Sequence, residues 1–441
     1  MKQNFFLEGI TLNYENPNRA ATFIQIFFHC GYYLFLFPFR FKKRYLNNTS
    51  VLTIHTNVYQ QVFCGIAHVL LLLEYFAESR QVPLTRIWHG ISTNPTLYFQ
   101  LIAEVIKHVY KIGTILSLWF AKKRYLKIVQ FLEEHQYYTC LLQKSRITSK
   151  FSAVTICLII LINALVDIIF CINVIDVKMI NQNISLDFIL RRYIYSGRYV
   201  YLLKSEWNMS VTPSWEETNT GDYILGCMCF FGVCFRQFFA FFNDALMLVL
   251  TIVMWSATKG FKNLVRQDIE AWREMVSEQN DRLKFIWYQN KLKTEELKIP
   301  LTKERCILKN YDVLKGLSYF INSAISFSVL SWMAEAIFYY SIGLHVLVYS
   351  ESIFSQIRTW VFMSNMGIVF ILCGDICKTV EDSLVEWLDF KAGSTPEKSD
   401  TLTPNRFQAL LHQAKSHGVG ISGHIFMMDY TAVLSVSDDY E

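Results

Sequence analysis

The chain has 441 residues, of which 52% are hydrophobic and only 18% charged, and its mean hydropathy is +0.24. That balance is too apolar for a water-soluble chain of this length, and the charged residues cluster between apolar runs, which points to a multi-helix membrane domain. The net charge of +5 does not mark a nucleic-acid binder, because the basic residues flank apolar runs instead of forming one patch; anionic lipid headgroups are the better match.

The first apolar run, 21–41, ends in Phe37-Pro38-Phe39-Arg40-Phe41 beside a short basic cluster. Pro38 and that cluster point to a helix lying in the interface or re-entering the membrane. Glu8, Asn13, Glu15 and Asn16 stand where a signal peptide would carry a basic start, so no cleaved leader is expected.

Seven further apolar runs occupy 52–76, 97–120, 151–177, 222–256, 316–349, 357–377 and 421–437. All but the last reach the roughly 20 residues that a helix needs to cross ~30 Å of hydrocarbon. The intervening loops alternate between basic-rich and basic-poor. Loops 42–50, 121–150, 257–313 and 378–417 hold 27 Lys and Arg, against 7 in loops 78–95, 178–221 and 350–356, which places the first set and the amino terminus in the cytosol. The loop 178–221 is then external, and it carries two glycosylation sequons, at Asn183 and Asn208. None of the 11 cysteines falls in an external loop, so no external disulfide framework is available.

The expected organisation is all-α: a cytosolic amino terminus over 1–50, spans one to four over 51–256, a cytosolic helical hairpin over 257–315, spans five and six over 316–378, a cytosolic linker with a short helix over 379–420, and an incomplete span seven over 421–441. In the hairpin, Leu264, Val265, Ile269, Trp272 and Val276 are spaced as one helical stripe, which extends span four into the charged stretch. Ile299-Pro300 breaks that pattern, and a second helix starting near Thr302 runs into span five. The stripe packs either on the partner helix or on another subunit.

Charged residues within hydrocarbon cost roughly 2.5 to 3.5 kcal/mol each on insertion scales, so they should face the bundle interior or water. Gln100, Glu104, Lys107, His108 and Lys111 recur on one face of span two. Arg236, Gln237, Asn243 and Asp244 share a face of span four, with Asp167 and Glu335 as candidate partners for Arg236. Glu104, His108, Asp167, Trp332, Glu335, Tyr339 and Asn365 are the candidate ligand-binding set. They serve either as a buried polar seam or as the wall of a small-molecule pocket. Tyr339, Tyr340 and Trp360 also suit an interfacial aromatic belt.

No enzyme, metal or cofactor constellation is expected. The histidines form no HExxH pair, no Gly-rich loop cradles phosphate, and Cys373 and Cys377 lack further converging ligands and read as small apolar residues.

Three stretches resemble the insect gustatory receptors, part of a chemoreceptor superfamily that includes the odorant receptors. They are Leu308-Lys-Asn-Tyr-Asp-Val-Leu-Lys-Gly-Leu-Ser-Tyr-Phe-Ile-Asn-Ser-Ala, Cys373-Gly-Asp-Ile-Cys-Lys-Thr-Val-Glu-Asp-Ser-Leu and Phe426-Met-Met-Asp-Tyr-Thr-Ala-Val-Leu-Ser. The resemblance implies a seven-helix bundle acting as a ligand-gated, non-selective cation channel for small-molecule tastants. It further implies a homo- or hetero-tetramer in the plasma membrane of sensory neurons, with a cytosolic helical anchor, a pocket in the outer part of the early spans and a pore lined by span seven. The family's span-seven signature, Thr-Tyr followed by apolar residues and Gln-Phe, is absent. Residues 423–437 supply 15 residues, about 22 Å of helix against ~30 Å of hydrocarbon, so the expectation is a pore helix that is incomplete and a chain that does not conduct alone.

Two other classes stay open. A G-protein-coupled receptor is opposed by the basic-residue count and by the lack of an external cysteine. A transporter or embedded enzyme is motivated by the intramembrane charges and opposed by the lack of internal repeats.

Overall fold

The computed structural model describes residues 19–46, 49–81, 95–135, 138–142, 154–163, 165, 219–289, 302–349, 353–394, 412, 419–422 and 428. In chain order the elements are α1 (Arg19–Tyr33), β1 (Arg40–Leu46), β2 (Thr49–His55), α2 (Val58–Gln81), α3 (Pro95–Phe120), α4 (Lys122–Glu134), the single turn α5 (Thr139–Leu142), α6 (Val154–Asn163), α7 (Thr220–Gln289), α8 (Thr302–Tyr349) and α9 (Ile353–Ser394).

Three long helices form the frame. α7, α8 and α9 have 70, 48 and 42 residues, about 105, 72 and 63 Å at 1.5 Å per residue, so each outruns a bilayer core. α7 starts at a reciprocal cap: the Asn219 side chain accepts the Asp222 N–H at 3.0 Å, and the Asp222 carboxylate accepts the Asn219 N–H at 2.9 Å. It then runs unbroken through the charged stretch, as its apolar spacing predicts. α8 packs on α3, α7 and α9, and α2 packs on α7.

Two stretches among the described residues, Thr220–Ala271 and Ile307–Ile337, are long and apolar enough to cross a membrane. The outward faces add a second observation. On α2 from 58 to 73, on α3 from 105 to 120 and on α6, every exposed side chain among the described residues is apolar, including Val62, Ile66, Val109, Leu116 and Leu158. Polar groups on the same helices point inward: His68, Lys111 and Thr114 are buried. His68 Nδ1 accepts the Trp119 indole N–H at 2.8 Å, so Nε2 carries the proton and donates to Leu36 O at 3.1 Å. Water-soluble proteins do not expose apolar faces of this extent. This is the surface of a membrane protein.

The all-α expectation is wrong at the amino-terminal end. The run 21–41 is not one interfacial helix: α1 stops at Tyr33, and 40–46 pairs antiparallel with 49–55, from Arg40↔His55 to Leu46↔Thr49. The apolar run 52–76 is therefore divided between β2 and α2. The cause is a two-residue period. Phe41 and Leu52 are buried while their strand neighbours Lys42 and Thr53 are not. Nor is the run exposed along one side like an interfacial helix. Phe23, Phe27, Phe28, Phe37, Phe39 and Phe41 are fully buried, with ring centroids 4.9 Å apart for Phe28 and Phe41, 5.5 Å for Phe28 and Tyr125 of α4, and 5.6 Å for Phe27 and Phe242 of α7. Lys43 closes the hairpin onto α4 through Glu133 at 2.8 Å.

At this same end α5 lies directly on α7. A Cβ at Gly260 would stand 2.5 Å from the Cys140 carbonyl oxygen, so only glycine lets the backbones approach, and Asn310 of α8 accepts the Cys140 N–H at 3.3 Å.

Candidate ligand-binding seam

α3, α7 and α8 meet along a line of polar side chains enclosed by the apolar exterior. On α3, Tyr110, Thr114 and Ser117 recur every three to four residues and share one face. Tyr110 is 1% exposed and donates to Asp244 Oδ1 of α7 at 3.2 Å. Glu335 of α8, itself buried, is near enough to act electrostatically on Tyr110. Thr114 Oγ1 lies 3.4 Å from Ser328 Oγ of α8. Ser117 Oγ is 2.9 Å from the Tyr125 hydroxyl, and burial pushes the Tyr125 phenol up to about 12, so it stays protonated.

The two helices come this close because of small residues. Gly113 sits against Phe327, whose Cε1 would be 2.3 Å from a Cβ there, and α8 presents Ser326, Ser328 and Ser331 as buried positions. Small residues with cross-helix hydrogen bonds are how helices associate where lipid tails remove the hydrophobic drive.

One turn before Glu335, Trp332 is 2% exposed, and its ring lies 5.3 Å from Phe370 of α9. Its indole N–H has no partner among the described residues. A buried donor left unpaired costs about 1 to 3 kcal/mol. Asn243 Nδ2, beside Asp244 on α7, is in the same condition.

Of the candidate set, Glu335 lies at this seam, and Trp332, one turn before it on α8, packs on Phe370 of α9. His108 is half-buried on α3, two residues before Tyr110, with Nε2 enclosed. Asn365 is half-buried on α9 next to the buried Met366. Glu104 and Tyr339 lie on α3 and α8, but their side chains, together with Asp167, Asn183 and Asn208, are outside the described residues. Trp360 is 60% exposed and faces outward, as a belt residue would. Tyr110 and Thr114 were missed because each reads as part of an apolar helix. Their signal was position: both fall within one turn of Lys111, on the inward side.

Two further sets of contacts tie the frame together. α7 and α9 are joined by reciprocal Trp–Asp hydrogen bonds: Trp255 of α7 donates to Asp375 of α9, and Trp387 of α9 donates to Asp268 of α7 at 3.0 Å. Asp375 also pairs with Lys259 at 2.7 Å and accepts from Thr379 at 3.2 Å. Asp375 is therefore a structural anion, and no cluster of metal-ligating groups occurs among the described residues. Separately, α8 holds residues 420–422. Gly420 O accepts from Ser318 at 2.6 Å and from Asn322 at 2.9 Å, the Gly420 N–H returns to Ser318 Oγ at 3.2 Å, and the Ser422 N–H goes to Asn322 Oδ1 at 2.9 Å. Cys377 of α9 adds a contact to Met428 O at 3.6 Å.

No family model and no curated protein matches the sequence. Among solved structures the chain is similar to the insect olfactory receptor OR5 from Machilis hrabei, at 11% identity and a TM-score of 0.50, over 96% of this chain and 94% of that one. The same receptor in complex with eugenol superposes over the same shares at 10% identity and a TM-score of 0.44. Identity this low carries no residue-level correspondence, but the match extends over nearly the whole of both chains. The chain shares the fold of that receptor.

Proposed function

We propose that this chain is a gustatory-type chemoreceptor subunit: a ligand-gated cation channel component that binds a small-molecule tastant in the α3–α7–α8 seam. The observation that carries this is the buried Trp332 donor, which has no partner among the described residues and stands one turn from the buried Glu335 on α8. A ligand that accepts from the indole would satisfy a buried donor that has no partner among the described residues, and the Glu335 carboxylate one turn away offers it an acceptor. By differential affinity for two states it would bias a closed-to-open equilibrium.

The finer features rest on the sequence. The motifs at 308–324 and 373–384 support the gustatory branch, and the basic-residue count supports a cytosolic amino terminus with seven spans. Assembly as a homo- or hetero-tetramer, a cytosolic anchor from the α7–α8 extensions, glycosylation at Asn183 and Asn208 and placement in the plasma membrane of sensory neurons complete the proposal. Glu104, His108, Asp167, Tyr339 and Asn365 extend the pocket beyond the seam.

The test is electrophysiological. Cells expressing the chain, alone and with other receptor subunits, are challenged with a tastant panel. Trp332→Phe and Glu335→Gln should each move the concentration dependence of an evoked current while leaving surface expression intact. Currents indifferent to both substitutions would overturn the seam as the ligand site.

A further inference from the structure

The turn between α1 and β1 leaves Tyr33, Leu34 and Phe35 61%, 41% and 40% exposed. Phe35 is held at a φ of 59°, a conformation that a bulky residue rarely adopts. Beside it the first turns of α2 expose Val58, Tyr59, Val62 and Phe63, and the Phe35 and Phe63 rings lie 5.7 Å apart. Two separate segments thus build one apolar knuckle.

Cationic groups border it. The Arg40 guanidinium sits 5.1 and 5.2 Å over the rings of Tyr32 and Tyr33 and donates to the Tyr33 hydroxyl. Lys42, two residues further along β1 and so on the same strand face, is exposed. Lys43 points the other way and is neutralised by Glu133.

We propose that this surface docks into a leaflet rich in anionic phospholipid, with Leu34, Phe35, Tyr59 and Phe63 entering the acyl region and Arg40 and Lys42 holding the headgroup. Charge complementarity and continuity both select this occupant. The knuckle is the end of a longer face: all eight exposed positions of α2 between 58 and 73 are apolar, a stripe of about 22 Å. Among the described residues, the cations beside that stripe stand at its Val58 end. An apolar band closed by Tyr and Arg at one edge is the pattern of a headgroup boundary. A second protein chain would have no need of that band's length.

The inference rests on the membrane reading, and its test separates the two. The purified full chain is analysed by native mass spectrometry for retained phosphatidylserine against phosphatidylcholine. Preferential phosphatidylserine retention that falls about fivefold per charge removed in Arg40→Gln and Lys42→Gln is expected. No preference, or one indifferent to both substitutions, overturns the proposal while leaving the membrane reading intact. A chain that leaves the membrane fraction on alkaline extraction overturns both. Because Arg40→Gln could disturb the hairpin, a photo-crosslinker at Tyr59, 78% exposed, is placed in an otherwise unaltered sequence. Crosslinks to phospholipid support the assignment, and crosslinks to a second copy or another protein overturn it.

Discussion

The exposed face of α2 and the exposed face of α9 obey opposite rules. On α2 from 58 to 73, everything that points outward is apolar and the buried polar group is His68. On α9 one outward stripe begins with Trp360, Ser364, Ile368 and Ile371, then changes to Lys378, Asp382, Glu386 and Asp389 without leaving the same side of the helix. α8 makes the same change between Asp312 and Tyr319, both exposed. Solvent, and not helix propensity, decides these patterns: a single continuous helix meets hydrocarbon along part of its length and water along the rest. The change of surface marks where the bilayer ends, and the buried polar seam lies on the hydrocarbon side of it.

The largest effect should come from reversing the pattern. Ile66→Asp on α2 places a charge in lipid and should cost about 3 kcal/mol of insertion free energy, read as loss of cell-surface protein. Asp382→Lys, beyond the change-over on α9, should stay within about 0.5 kcal/mol. Next, Gly260→Val drives a side chain into the Cys140 carbonyl and should cost roughly 1 to 3 kcal/mol, read as lowered thermal stability in detergent. Asp375→Ala removes the acceptor of Trp255 and the partner of Lys259. Its loss should cost about 2 kcal/mol, less than full burial would give because the ion pair is one-third exposed. A double-mutant cycle with Trp255→Phe isolates the hydrogen bond. Asn322→Ala releases Gly420 and Ser422 for about 1 to 2 kcal/mol, read as faster hydrogen exchange at their amides. The smallest change is Trp332→Phe: unliganded stability should be unaltered or slightly raised, since the indole donor has no partner among the described residues, while ligand potency should fall about tenfold.

The long frame was legible because its signals are long. Lipid-length apolar runs and the stripe from Leu264 to Ile269 point to α7 and α8 with no need for tertiary information; the Ile299-Pro300 break lies outside the described residues. The hairpin was not, because Phe37, Phe39 and Phe41 made 21–41 look like one apolar run and hid the alternation that continues through Lys42 and Thr53. Trp332 and Glu335 stand out in the sequence as chemically conspicuous residues of an apolar run, and both are buried. Tyr110 gains its role only from Asp244, 134 positions away, and such a pairing is set by how helices cross, which one chain's periodicity does not encode. Cys373 and Cys377 read as small apolar residues, and the Asp375 between them holds α7 to α9 through Trp255 and Lys259.

The central claim, that α2 and α3 face hydrocarbon while the far part of α9 faces water, is tested most directly by spin-label accessibility in a reconstituted bilayer. Labels at Val62, Ile66 and Val109 should collide preferentially with oxygen, and labels at Lys378, Asp382 and Glu386 with a water-soluble nickel chelate. Nickel access at the α2 and α3 positions equal to that on α9 would contradict the account.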